Sequence, residues 1–196
     1  MRKPYSWCVA VLFLLLGNAS GFGQDANAPS IQREAMKKLG FLTGRWKGQS
    51  WTEFAPGQRS ASVGTETVEP KLDGLLLTID GVHLRKLNDK ETGSVVHQAF
   101  VVVSFDEKAK RYRFQAYTDR GSYTEAEAKV EDGKLEWGFR IPQAGEVRYT
   151  ITVTENGRWF EIGEISSDGK QWRKSFEMTL ERVTASNQGN VQDKIE

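Results

Sequence analysis

The chain holds few residues suited to chemistry at a buried site. Histidine occurs twice, as His83 and His97. His97 lies in the most apolar run of the chain and shares two-residue parity with Val95, Ala99, Val101 and Val103. In a strand that parity places its imidazole on the core face, as a hydrogen-bonding or metal-ligating group. The bland alternative is a satisfied structural histidine or a strand-end residue in water. His83 shares parity with Leu77 and Ile79 in the preceding run, so paired strands would bring the two rings together. Two imidazoles are half a zinc site, and Asp80 or Glu66 would have to complete it. The spacing demands neither, and no metal is expected. Glu66 shares parity with Ser62 and Val68, and Glu164 with Phe160 and Ile162. A carboxylate on an inward face is costly unless paired. Arg113 or Arg85 would be the partner, and two solvated rim charges are the alternative.

Motifs for catalysis are missing. The sequence contains no Gly-x-Ser-x-Gly elbow, phosphate-cradling glycine loop or His-Glu-x-x-His. Lys108–Arg113 (KAKRYR) is locally basic and reads as a solvated turn. Large aromatics at Trp46, Tyr112, Phe114, Trp137, Phe139, Tyr149 and Phe160 are set against a row of small residues, Ser122, Thr124, Ala126 and Ala128. Small residues beside large ones leave a pocket in a closed sheet, unless the aromatics fill it. The expected ligand-binding set is Trp46, Glu66, His97, Phe114, Trp137 and Tyr149, with no catalytic residue.

These side chains need a scaffold, and the hydrophobic rhythm describes one. Ser30 is a fair N-cap, Ile31, Ala35, Met36 and Leu39 share a helical face, and Gly40 is a natural stop. That predicts one short amphipathic helix. From Gly44 onward the period is two. Strands are predicted over 45–54, 60–69, 75–87, 94–105, 111–118, 122–130, 134–141, 146–154, 158–166 and 171–183. Asp132-Gly133 and Asn156-Gly157 are hairpin signals, because each pair tolerates positive φ. Short turns force antiparallel neighbours. The expected fold is all-β: an up-and-down antiparallel barrel of about ten strands with a short N-terminal helix. A Greek-key sandwich is the alternative. An outer-membrane barrel fits poorly, because charged residues such as Glu125, Lys129, Arg173 and Glu177 punctuate the strands.

The bulk numbers agree with one globular domain. Of 196 residues, 27% are charged and 38% apolar, and the formal charge is +1, which supplies no footprint for a phosphate backbone. Arg2 and Lys3 precede an apolar run, Cys8–Gly17, that is too short for a helix to cross a bilayer core of roughly 30 Å. We read residues 1–23 as a cleavable signal peptide and the protein as exported, to the periplasm or the exterior. Cleavage after Gly23 removes two basic residues, shifts the formal charge to −1 and takes away Cys8, the single cysteine. Disulfides and thiol chemistry go with it. Residues 24–29 read as a flexible leader, 30–183 as the barrel domain and 184–196 as a disordered polar tail.

Leu39-Gly40-Phe41-Leu42-Thr43-Gly44-Arg45-Trp46-Lys47-Gly48 resembles the opening motif of nitrobindin-like barrels, a short helix followed by Phe-Leu-x-Gly-x-Trp-x-Gly. Asp168-Gly169-Lys170, with Trp172 and Phe176, resembles the final hairpin of an uncharacterised bacterial family of lipocalin-like (calycin) barrels related to nitrobindin. The resemblance implies the barrel, with Gly44 and Gly48 bending the chain and Trp46 covering the floor. Nitrobindins hold haem through a histidine near the C-terminal end, but the last predicted strand has none, so no haem or other cofactor is expected. The function expected is binding of a small, largely apolar ligand, with no nucleic-acid partner and no stable membrane insertion. The alternatives are an isomerase-type barrel enzyme, with or without haem, and an interaction module built on a filled barrel.

Overall fold

Two-residue alternation and short turns leave ten strands with one apolar face each, and the chain buries those faces by closing the sheet on itself. A computed structural model describes residues 31–53, 55–142 and 145–184. The expected signal peptide, leader and Ser30 cap, Phe54, residues 143–144 and the expected tail beyond residue 184 lie outside the described residues. The strands are β1 (Gly44–Thr52), β2 (Ser60–Lys71), β3 (Leu76–Lys86), β4 (Thr92–Asp106), β5 (Arg111–Thr118), β6 (Tyr123–Glu131), β7 (Lys134–Ile141), β8 (Gly145–Val153), β9 (Trp159–Ser166) and β10 (Arg173–Arg182). Each pairs antiparallel with its sequence neighbour, and β1 pairs with β10 to complete the barrel. The sandwich alternative is thereby excluded. At the closing seam β1 and β10 approach so closely that a Cβ on Gly48 would strike the Thr179 carbonyl and the Leu180 backbone, which is why glycine stands there.

Helix α1 (Ile31–Lys37) and a single 3-10 turn (Gly40–Leu42) cover one end of the barrel. The helix is shorter than the periodicity suggests, and Gly40 opens the 3-10 turn instead of ending the helix. Lys38 and Leu39 donate to the carbonyls three residues back, at 3.2 and 3.0 Å. That tightening aims Leu39 and Leu42 into the barrel, where both are fully buried. Ile31, expected on the docking face, is 61% exposed.

Beneath this cap the interior is buried and interlocked. Trp46 donates its indole N–H to the Leu42 carbonyl at 2.8 Å and meets Trp159 edge-on at 5.7 Å. The Arg182 guanidinium lies 4.1 Å from the Trp46 ring centroid and donates to the Phe41 and Thr43 carbonyls. Tyr112 donates to the Ala35 carbonyl at 2.7 Å, tying the helix to β5. Leu135, Leu180, Val68 and Val103 complete the core. Ala126 faces Phe114 across β5 and β6, and Ala128 sits between Tyr112 and Trp137. Ala126 and Ala128 therefore receive neighbouring aromatics, whereas Thr124 faces Ala116. Charged residues of β6 and β10, such as Glu127, Lys129 and Glu181, face out. Among the described residues, no helix is long and apolar enough to cross a membrane.

Two bulges alter which residues share a face. His97 pairs with His83, but the next pair is Val95 with Leu84, so Val96 is the extra residue. Val95 is turned outward and is 47% exposed; it does not share the inner face of His97, as plain alternation had it. A second irregularity falls between Lys174 and Phe176, at Ser175.

Candidate functional site

The open half of the barrel concentrates buried polar groups. Glu66 on β2 stands opposite Gly81 on β3, and His83 on β3 opposite Gly64 on β2. Each side chain crosses over the glycine facing it. A Cβ on Gly64 would overlap the His83 ring, and one on Gly81 would overlap the Glu66 carboxylate. The crossing brings His83 Nε2 to 2.9 Å from Glu66 Oε1. With Nε2 donating to the carboxylate, Nδ1 accepts from the Ser50 hydroxyl at 3.4 Å, and Ser50 in turn meets the Ser62 hydroxyl at 2.7 Å. Glu66, His83, Ser50 and Ser62 are all buried. The polar partner of Glu66 is thus a histidine on the adjacent strand. Arg113 binds Asp106 on the outer wall instead, and Arg85 is exposed.

The order Ser50, His83, Glu66 is that of a nucleophile relay. Both edges of β1 are consumed by strand pairing, so backbone N–H groups there are committed to the ladders and none is left to stabilise an oxyanion. The four side chains form one hydrogen-bonded row on the inner face.

His97 sits toward the rim, its ring centroid 6.1 Å from that of His83. It reaches solvent, yet the barrel wall around it, and then the neighbouring His83, hold its imidazole below the usual range. Among the described residues no cluster of three or more His, Cys, Asp or Glu is arranged to hold a metal.

A second carboxylate enters the interior from β9. Glu161 faces inward between Ile151 and Met178 and is 8% exposed. It accepts one hydrogen bond, from Trp159 Nε1 at 3.2 Å. Burial first, and the Glu66 charge second, push its carboxyl up to about 8, so it is largely protonated at neutral pH. Tyr149 is pushed up to about 12, by burial and then by Glu161. Sequence reasoning missed Glu161 because β9 carries apolar residues on both faces. Glu164, singled out instead, lies on the outer wall and takes two hydrogen bonds from Arg148, at 2.7 and 3.1 Å. Phe160 shares that outer face, opposite Thr152 and Thr179, and lines no interior.

An aromatic wall stands beside these acids. Trp137 is stacked between Phe114 and Tyr149, with centroid distances of 4.1 and 4.7 Å, and Tyr149 meets Phe176 edge-on at 5.8 Å. Trp137, Phe139, Tyr149 and Phe176 all point inward but remain only half-buried, unlike the floor residues. The Trp137 indole N–H is buried and has no acceptor among the described residues. The wall itself parts here. β6 and β7 pair only where Ala128–Glu131 meets Lys134–Trp137. Beyond that the strands diverge, and a groove of about 400 Å³ opens at the gap, lined by Glu127, Lys129, Phe139, Arg140 and Trp172 among others. Of the expected set, Glu66, Phe114, Trp137 and Tyr149 face the interior, His97 stands at its rim and Trp46 belongs to the floor.

No protein-family model matches the chain, and no curated protein matches it. Among solved structures, it is similar to the crystal structure of Rv2717c from M. tuberculosis, with a TM-score of 0.55 and 11% sequence identity, over 76% of this chain and 98% of that one. At that identity the likeness concerns the fold, and the closed ten-strand antiparallel barrel fits a calycin-like barrel.

Proposed function

We propose that this chain is an exported, nitrobindin-like barrel that binds a small, largely apolar ligand in the open half of its interior. The observation that carries this reading is the contrast within one inner wall. The floor side chains are sealed, whereas Trp137, Phe139, Tyr149 and Phe176 face inward and stay half-buried. An inward aromatic that keeps accessible surface borders space, and apolar surface bordering space is what an apolar ligand covers. The buried Glu66–His83–Ser50–Ser62 row would orient a polar end. The orphaned Trp137 N–H adds a donor that a ligand acceptor would satisfy. Export is supported by the basic start and short apolar run of residues 1–23, and the nitrobindin-like kinship by the opening Phe-Leu-x-Gly-x-Trp-x-Gly motif.

Titration with 1-octanol, followed by intrinsic tryptophan fluorescence, tests the reading. Saturable quenching is expected, and Trp137→Phe, which keeps the stacked ring and removes the N–H, should retain binding while losing most of the signal. Absence of any saturable change with octanol or with an octyl chain bearing another head group would overturn it.

A further inference from the structure

We infer that the ligand's polar end is an amine, held as an ammonium by the inward carboxylate of Glu161; this rests on the reading of the interior as a binding chamber. The charge inventory of the chamber carries the argument. Two carboxylates, Glu66 and Glu161, are buried on the inner face, and no Lys or Arg is among the buried residues described. Glu66 has its partner in His83 at 2.9 Å. Glu161 has only the Trp159 indole, which binds one of its two oxygens. The other oxygen has no hydrogen bond among the described residues and, unlike the Trp137 indole N–H, keeps accessible surface, so it borders open space. An inward carboxyl oxygen without a donor is an acceptor open to a ligand.

The titratable groups that bear on Glu161 come from each neighbouring wall. Tyr149 stands on β8, Glu66 on β2 and His83 on β3, with His97 at the rim beyond His83. The histidine of that set nearest the acids, His83, is already engaged by Glu66. An entering carboxylate would meet two acids and no free cation. An entering alcohol would hydrogen-bond the neutral acid but form no charge-assisted bond. An ammonium donates to the free oxygen, ionises Glu161 and is shielded from water by the aromatic wall, where a charge-assisted bond is strongest. The proton balance is explicit: the protonated Glu161 gives up its proton to solvent as the ammonium enters, and no bond in the ligand changes.

The test uses three probes with one chain length, octylamine, 1-octanol and octanoate, titrated into the whole protein at pH 7 by calorimetry in two buffers of different ionisation enthalpy. Octylamine is expected to bind about tenfold tighter than octanol, with release of close to one proton, and octanoate to bind weakest. Glu161→Gln should bring octylamine down to the affinity that octanol shows for the same variant and abolish proton release. The wild-type proton count needs no variant, so a Glu161→Gln chain that fails to fold still leaves a decision. Octanol binding as tightly as octylamine, or octylamine binding without proton release, overturns the amine assignment and leaves the chamber intact. Failure of all three probes to bind overturns the chamber and the amine together.

Discussion

The two ends of this barrel are built from the same ten strands, and they do opposite things with them. At the capped end the inward side chains have tight neighbours: Trp46 against Trp159, Leu39 and Leu42 against the strands, Phe105 against Tyr112. The polar atoms there are satisfied from the backbone, as when Trp46 donates to Leu42 and Tyr112 to Ala35. At the open end the inward positions carry Ser50, Ser62, Glu66, His83 and Glu161, and an indole N–H with no acceptor. The floor is close-packed and gains stability from it, while the chamber retains incomplete polar groups that cost stability. Such a division fits a barrel whose capped end secures the fold and whose open end meets something else.

Breaking the floor should produce the largest effect. Trp46→Ala removes the indole, its bond to Leu42 and the surface under Arg182, and a loss of about 3–5 kcal/mol is expected for a buried tryptophan. Denaturant unfolding measures it, and if the two ends are as separate as described, surviving folded protein should keep its octanol affinity. A much smaller loss would mean that the cap does not carry the fold.

A change of one methyl group tests the crossed pair in the chamber. In Gly64→Ala the new Cβ overlaps the His83 ring, so the imidazole must move and release Glu66. The expected cost is about 1–3 kcal/mol, as for overpacking elsewhere. The His83 ring NMR signals should move with it, which a floor substitution would leave in place.

The pH dependence sharpens the comparison further. Glu161 has its folded pKa raised from 4.5 to about 8. Between those values the folded protein holds a proton that the unfolded chain has released. The associated stability is complete below pH 4.5 and is lost as pH rises through 8, at roughly 1 kcal/mol per pH unit within the window. Glu161→Gln should flatten that slope, seen in urea midpoints between pH 5 and 8. A slope that survives the substitution would place its origin elsewhere.

Much of the architecture was legible because it is local. β5 and β7 run over the residues that alternation assigned to them, and Asp132-Gly133 makes the turn between β6 and β7 with positive φ at both positions. The inner faces of β7 and β8 also follow from parity alone, since their outer faces are polar. The chamber was less legible. In β9 both Trp159 and Phe160 are aromatic, so parity could not say whether Glu161 or Glu164 faces in. In β4 the bulge at Val96 breaks the alternation that His97 and Val95 were assumed to share. A signal was present in Gly64-Thr65-Glu66 and Gly81-Val82-His83: each strand offers a glycine two residues before a polar group, as a crossed pair requires.

Composition, period and turn chemistry determined by themselves that this chain forms ten antiparallel strands behind a short helix, because those properties act between residues near one another in the chain. Which carboxylate enters the interior, which histidine it meets and which indole is left without a partner were decided only when the sheet closed. Register and bulges are set by the packing of all the walls at once, and a shift of one residue exchanges the two faces of a strand.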